Sequence, residues 1–355
     1  MRGAEPGEQT MLLNAFDVDP GSAERTVELQ AGELFELGLQ ADLLVVSAYA
    51  GNYEPVPGTL VARLHGACGL ELGQLPRALD FSASPVGAWV SPPLSPPWPQ
   101  GSNTRFRRIA VVESPREPTG TTNDSTVWPA FNQLFCLLAL LPLHGIHCPT
   151  VATPLLSAGN QGVEPERLFP ALLDRCRDGF RHVPDLERLI LFDRQRPALE
   201  QLATRIDQEL HRFPVERQLL QLEAAVLPTQ SLLMVLRGFS KLHPQLDVDG
   251  DISELLYQLS DLETTAVALG LHGRRLIERL VRQRLGWRSG TLYQGLQALN
   301  TQQLDPWLIS CLHQVRVFGN WMGHPSRSGN RRAVTLTDVI AMLAALQRVL
   351  EAYPW

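Results

Sequence analysis

The stretch that decides the fold is residues 150–163, Thr-Val-Ala-Thr-Pro-Leu-Leu-Ser-Ala-Gly-Asn-Gln-Gly-Val. An apolar strand runs into Pro154, and a turn bracketed by Gly159 and Gly162 then leads to an amphipathic helix that opens at Glu164. A strand, a glycine turn and a helix start form the arrangement in which backbone N–H groups approach a phosphate closely. Two glycines in such a turn also suit a plain tight connection, and that alternative stays open.

Strand-like and helix-like patterns alternate on both sides of this stretch. Apolar runs predict strands, and apolar residues at helical spacing predict helices between them. This order indicates an α/β three-layer sandwich whose ligand lies beyond the carboxyl ends of the strands. The predicted strands are residues 26–30, 41–46, 86–90, 108–112, 147–152 and 186–192, and the predicted helices are residues 58–68, 131–143, 165–180 and 197–212.

From Phe213 onward the strand pattern disappears, and helical spacing predicts an all-α helical bundle. The predicted helices of this bundle are residues 251–269, 272–286, 289–299, 304–323 and 335–353. The sequence therefore predicts an N-terminal extension at residues 1–24, an α/β domain at residues 25–212, a helical connector at residues 213–250 and a helical domain at residues 251–355.

Composition and cysteine usage favour a soluble cytoplasmic protein. The chain has 355 residues, of which 44% are apolar and 19% charged, and its longest apolar run, Leu134–Leu143, is too short to cross a bilayer. No secretory signal is visible at the N-terminus. Five scattered cysteines without Cys-x-x-Cys spacing indicate reduced thiols, so we expect no metal site. The short apolar runs lead us to expect no membrane partner.

The charge is distributed unevenly along the chain. The net charge is −6, yet residues 271–332 carry ten arginines against only Glu278 and Asp305. This asymmetry favours a polyanion, such as RNA, as a partner of the C-terminal part. The alternative is a solvated, arginine-rich face that binds no partner.

Four segments of the N-terminal half carry a family resemblance. They are Gly32-Glu33-Leu34, the strand at Asp42–Ser47, the segment Gly58–His65 and the turn at Ser157–Val163. In their order and spacing they resemble a macro domain, the α/β/α fold that binds ADP-ribose and related nucleotides. The resemblance covers residues 25–210 and implies an ADP-ribose-like ligand and no cofactor.

The resemblance also implies which residues contact the nucleotide. Glu33 takes the place of the acid that accepts the adenine amino group, and two loops cradle the phosphates. The implied set is Glu33, Ser47, Asn52, Gly58, Thr59, Ser157, Ala158, Gly159, Asn160, Gln161 and Gly162. Where ADP-ribose hydrolases of the family carry asparagines, this chain has Ser47-Ala48-Tyr49-Ala50, so we expect a binder rather than a hydrolase.

Two helical segments, Arg275–Glu278 and Arg316–His324, resemble the HEPN superfamily, many members of which are metal-independent ribonucleases that work as dimers. Arg316, Asn320 and His324 fall at i, i+4 and i+8 of a helix and form one stripe. Arginine can hold a phosphate and histidine can move a proton, which makes these three the candidate catalytic residues. Alternatively, Asn320 and His324 cap the helix end and bond Arg275 or Glu278.

Together these patterns predict a cytoplasmic anti-phage defence protein, in which a macro-like domain binds a nucleotide signal and controls a HEPN-like effector that cleaves or binds RNA. We expect a homodimer formed through the helical domain. The alternatives are an ADP-ribosyl hydrolase with a helical dimerisation tail and a non-enzymatic, nucleotide-regulated adaptor.

Overall fold

The chain divides into two compact units. The computed structural model describes residues 11–18, 25–114, 127–156, 165–218, 220, 222, 226–246, 248–260, 264–287, 290–323 and 332–355. The first unit comprises Met1–Met11 and Val27–Ala203, and the second comprises Leu12–Thr26 and Thr204–Trp355.

A mixed β-sheet forms the centre of the first unit. Its strands are β2 (Thr26–Ala31), β3 (Gln40–Tyr49), β4 (Leu79–Asp80), β5 (Ala88–Val90), β6 (Arg105–Ser114), β7 (Thr150–Pro154) and β8 (Arg188–Asp193). Within this unit they follow the order β2-β8-β7-β3-β6-β5-β4. β3 pairs in parallel with β6 and β7, and β7 pairs in parallel with β8, whereas β5 runs antiparallel to β6. The carboxyl ends of β3, β6, β7 and β8 therefore meet at one edge.

Both faces of the central strands are covered. Leu43, Leu44, Val45 and Val46 of β3 alternate between the two faces, and all four are at most 1% exposed. Leu44 and Val46 share a core with Leu64. The helices of this unit are α1 (Leu60–Cys68), α2 (Val127–Leu140), α3 (Pro165–His182) and α4 (Arg196–Glu209). The predicted α/β arrangement is confirmed, with β4 as a strand that the sequence did not suggest.

The second unit combines one N-terminal strand with six helices of the described chain. Its elements are β1 (Met11–Asp17), α5 (Val226–Leu242), α6 (Asp249–Ser260), α7 (Ala266–Leu285), α8 (Leu292–Thr301), α9 (Pro306–Gly323) and α10 (Leu336–Glu351). Leu12 and Ala15 of β1 belong to the same apolar core as Leu276, Leu312 and Leu346. Thus the helical C-terminal region is confirmed.

Small residues let α7 and α9 approach each other closely. A Cβ on Gly319 of α9 would lie 2.5 Å from the Cβ of Arg274 and 2.8 Å from the carbonyl oxygen of Gly270 on α7. Arg274 is 1% exposed, and its Nη1 donates to Oδ2 of Asp17 at 2.8 Å. Asp17 in turn is the neighbour that a Cβ on Gly323 would meet. A buried ion pair is therefore enclosed beside this helix contact.

Two sequence expectations need correction. Residues 11–17 are the strand β1, and residues 12–17 belong to the second unit and not to an N-terminal extension, since Asp17 compensates the buried charge of Arg274 there. The predicted helix at residues 251–269 ends at Ser260, and α7 begins at Ala266, because the side chain of Thr265 accepts from the backbone N–H of Ala268 and caps the helix there. Gly270 stays inside α7, where it permits the contact with α9.

Candidate functional site

The loop that follows β3 ends in a glycine turn at the start of α1. Gly58 has a φ of +87°, a backbone conformation that favours glycine. Thr59 caps α1, since its Oγ1 accepts from the backbone N–H of Ala62 at 3.2 Å and donates to the carbonyl of Val56 at 2.6 Å. Both hydrogen bonds of the Thr59 hydroxyl therefore hold the turn. The N-terminus of α1, which is the positive end of the helix dipole, lies at this turn.

An arginine lies beside this turn. Arg194 follows β8 directly, and a Cβ on Gly58 would stand 3.7 Å from its Nη2. Its side chain is exposed. The arrangement places a guanidinium next to a helix N-terminus at the carboxyl edge of the sheet. Sequence reasoning missed Arg194, although its position just after a buried strand was a usable indication.

Glu33, the expected partner of an adenine amino group, forms an ion pair with Arg63 of α1. The distance from Arg63 Nη2 to Glu33 Oε1 is 3.0 Å, and the side chains are 58% and 29% exposed. Because Arg63 lies in the first turn of α1, the pair brings Glu33 near the same helix start as Gly58 and Thr59.

The other predicted nucleotide contacts have different outcomes. Ser47 is exposed near the end of β3. Asn52 helps to shape the loop, because its Oδ1 accepts from the backbone N–H of Glu54 at 3.1 Å. Ser157, Ala158, Gly159, Asn160, Gln161 and Gly162 all lie outside the described residues. The structure therefore brings together Glu33, Gly58 and Thr59.

A cavity of about 450 Å³ lies on another side of this loop, between Gly51–Pro55, α1 and residues 70–74. Of the predicted nucleotide contacts that the structure describes, only Asn52 lines it, and Glu54 and Glu71 make its wall acidic. Tyr53 pins the loop, because its hydroxyl donates to Glu113 and accepts from Arg77 Nη2 at 3.0 Å. Burial and the contact with Glu113 raise the pKa of Tyr53. An acidic wall does not suit a phosphate.

In the helical unit, the candidate stripe on α9 has an unexpected histidine. Arg316 Nε donates to Nδ1 of His313 at 3.3 Å, and the guanidinium lies 5.3 Å from the centre of the Tyr293 ring. Burial, with a smaller contribution from Arg274, lowers the pKa of Arg316. Burial and the neighbouring Arg316 lower the pKa of His313. Sequence reasoning missed His313 and Tyr293.

The remaining members of the stripe are only partly placed. Asn320 lies one turn after Arg316, and its buried Oδ1 accepts no hydrogen bond from the described residues. His324 lies outside the described residues. Three arginines of α7 are paired with acids: Arg275 with Glu254, Arg279 with Asp251 and Arg282 with Glu278.

The described part of the chain contains no group of three or more His, Cys, Asp or Glu residues arranged to hold a metal ion. None of its described helices is both long enough and apolar enough to cross a membrane.

Comparison with known proteins distinguishes the two halves of the chain. A family model described as "Domain of unknown function (DUF4145)" matches residues 257–353 and names no function for them. No curated protein matches the chain. The HEPN resemblance therefore stays a prediction.

Solved structures similar to the N-terminal part are macrodomains. The Oceanobacillus iheyensis macrodomain with MES bound is 11% identical, with a TM-score of 0.38, over 57% of this chain and 97% of that chain. The Trypanosoma brucei macrodomain in complex with ADP-ribose is 15% identical, with a TM-score of 0.38, over 54% and 74%. The macrodomain of Mycobacterium tuberculosis DarG is 16% identical, with a TM-score of 0.30, over 46% and 96%.

Proposed function

We propose that the N-terminal unit binds an ADP-ribose-type nucleotide, with its diphosphate over the Pro57-Gly58-Thr59 turn. The observation that carries this proposal is the guanidinium of Arg194 beside Gly58, at the N-terminus of α1. A helix N-terminus favours an anion through its backbone N–H groups and its dipole. A guanidinium adds a charge-assisted hydrogen bond to the same phosphate.

Glu33 and Arg63 are the proposed contacts at the base end of the ligand. Arg63 holds one carboxylate oxygen of Glu33 at 3.0 Å and thereby orients the side chain. The other oxygen then accepts from an exocyclic amino group, the hydrogen bond that the macro-domain resemblance assigns to this position. The turn at residues 157–162 is the proposed second phosphate loop.

Calorimetry with ADP-ribose and ADP tests the ligand. Gly58→Val is expected to weaken binding at least tenfold, because the side chain obstructs the phosphate and strains a turn at φ +87°. The matched control is Gly101→Val, which alters a glycine at φ +83° with open space around it. Gly159→Val and Gly162→Val probe the second loop in the same way.

Arg194→Ala is expected to weaken ADP-ribose binding roughly 10- to 150-fold, the usual value of a hydrogen bond to a charged group. Its control is Arg196→Ala, which removes a nearby exposed arginine that pairs with Glu200 at 2.8 Å. Unchanged affinity in both Gly58→Val and Arg194→Ala would contradict the proposed site.

The proposal extends to the helical unit as an RNA-directed effector in anti-phage defence, with Arg316, Asn320 and His324 as catalytic residues in a homodimer. The HEPN resemblance and the one-turn spacing of Arg316 and Asn320 on α9 support it. The test compares wild type, Arg316→Ala and His324→Ala on single-stranded RNA, with and without ADP-ribose. Loss of cleavage in folded, dimeric variants supports the ribonuclease, whereas normal cleavage or unfolding favours a structural brace and a nucleotide-regulated adaptor.

The hydrolase alternative has a direct test. Ser47 and Ala50 stand where the resemblance expects asparagines, so we expect the N-terminal unit not to remove ADP-ribose from proteins efficiently. Turnover of an ADP-ribosylated protein at the rate of a dedicated hydrolase would contradict this expectation.

A further inference from the structure

The arginines of the helical unit differ in what neutralises them. Six arginines between residues 271 and 323 lie in the described part of the chain. Five of them pair with an acid or a backbone oxygen: Arg274 with Asp17, Arg275 with Glu254 at 3.9 Å, Arg279 with Asp251, Arg282 with Glu278 and Arg284 with the backbone oxygen of Trp355. The sixth, Arg316, has no carboxylate partner among the described residues.

Arg316 is nevertheless held in one place. Its Nε donates to His313 one turn earlier on α9, and its planar head lies 5.3 Å from the ring centre of Tyr293 on α8. The His313 and Tyr293 rings are 6.2 Å apart, which closes a three-residue cluster. A guanidinium fixed through Nε keeps its two terminal nitrogens for a ligand.

The environment of the cluster suits an anion. His313 accepts at Nδ1 and its pKa lies below the ordinary value, so at neutral pH it positions Arg316 without adding a charge. Arg316 is half-buried, and partial desolvation strengthens its attraction for an anion. Tyr293 is 48% exposed and offers ring surface to solvent beside the cation.

We propose that Arg316, His313 and Tyr293 form a binding site for one nucleotide unit of a single-stranded nucleic acid. The guanidinium takes the phosphate in a bidentate contact, and the adjoining base stacks on Tyr293. A carboxylate ligand would leave the aromatic ring unused, which is why the pairing of cation and ring favours a nucleotide. The site deepens the proposed RNA function of the helical unit, but it requires no cleavage and no ADP-ribose.

Fluorescence anisotropy of the full chain with a labelled 10-nucleotide RNA tests the site. Arg316→Ala is expected to weaken binding roughly 10- to 150-fold and to reduce the salt dependence of log K by about 0.7, because one phosphate contact is lost. Arg316→Lys keeps the charge without the planar guanidinium, and its affinity for RNA is expected to lie between those of wild type and Arg316→Ala. The matched control is Arg348→Ala, whose arginine is 61% exposed and paired with Glu351 on α10.

Tyr293 supplies an independent measurement. Tyr293→Ala is expected to weaken binding by about 5- to 150-fold, the usual value of one base–aromatic stack. Tyr293→Phe keeps the ring and is expected to bind more tightly than Tyr293→Ala. Circular dichroism and gel filtration establish that each variant is folded and has the wild-type assembly state.

The outcomes separate this site from the one in the N-terminal unit. Single-stranded DNA of the same length and free AMP, used as competitors, identify whether a strand or a mononucleotide supplies the phosphate and base. RNA binding by wild type that is lost in Arg316→Ala and kept in Arg194→Ala supports the site, whether or not ADP-ribose binds. Absence of RNA and AMP binding, or equal losses in Arg316→Ala and Arg348→Ala, overturns it.

Discussion

Arg194 and Arg274 show two opposite uses of the same side chain. Arg194 is exposed at the carboxyl edge of the sheet, beside the N-terminus of α1, where its charge faces the proposed nucleotide site. Arg274 is 1% exposed in the helical unit, where Asp17 neutralises it. The number of arginines in a stretch of sequence therefore does not give the surface potential, because burial and pairing with acids distant in sequence determine which of them present a charge to solvent.

The comparison also explains the fate of the basic stretch at residues 271–332. Its arginine count predicts a polyanion surface, yet the described arginines of α7 are engaged by acids or by a backbone oxygen. Among the described residues of this stretch, the anion site that we propose is much smaller and consists of Arg316 with His313 and Tyr293.

The largest effect is expected for Asp17→Ala. It leaves the charge of Arg274 buried without its carboxylate and should lower the free energy of unfolding of the helical unit by about 3–5 kcal/mol. Urea denaturation measures the loss. The control, Glu351→Ala, breaks an exposed pair with Arg348 and should cost at most about 1 kcal/mol. Equal losses in the two variants would contradict the view that burial sets the difference.

A double variant sharpens the same point. Asp17→Leu combined with Arg274→Met replaces the ion pair with apolar groups of similar size, and it should recover most of the stability that Asp17→Ala loses. Failure to recover would indicate that the pair is needed for more than charge compensation.

A smaller loss is expected for Gly319→Ala. The new Cβ would lie 2.5 Å from Arg274 Cβ and 2.8 Å from the Gly270 carbonyl, so α7 and α9 must separate, at a cost of about 1–3 kcal/mol. Gly238→Ala on α5 is the matched control, because its Cβ meets nothing within 4 Å. That control should gain about 0.5–1 kcal/mol from helix propensity. Thermal unfolding of both variants checks the opposite signs.

The smallest effect concerns pH. The pKa of His313 is lowered by burial and by Arg316, so below about pH 6.5 the unfolded chain binds a proton that the folded chain resists. Stability therefore rises with pH through the window below about 6.5 and is lost as the pH falls. His313→Gln should reduce the difference in Tm between pH 5.5 and pH 7.5. An identical pH dependence in the variant would contradict the assignment.

Local patterns in the sequence predicted much of the fold. The buried runs at residues 41–46 and 186–192 are β3 and β8, because strands covered on both faces are apolar throughout. The start of α7 was missed, since the Thr265 cap gives a weaker pattern than the glycine at position 270. The pairing of Asp17 with Arg274 could not be predicted, because no periodicity links residues 257 positions apart.

The candidate sites were predicted in part for similar reasons. Gly58 and Thr59 were predicted from the macro-domain resemblance, whereas Arg194 comes to Gly58 only through the order of the strands. On α9, attention to Arg316 and His324 overlooked His313, which helix geometry also places one turn from Arg316. Asn52 was expected to contact the ligand, but its side-chain oxygen Oδ1 accepts a hydrogen bond from the backbone N–H of Glu54 in its own loop.

The Asp17–Arg274 pair has a consequence for protein synthesis. Asp17 leaves the ribosome 257 residues before its partner, which at about 5–20 residues per second is a delay of roughly 13–50 s. During that time β1 cannot reach its place among the helices, while most of the sheet unit, made in between, can already fold. The nascent chain must therefore keep Leu12 and Ala15, which belong to the core of the helical unit, from other apolar surfaces until translation reaches those helices.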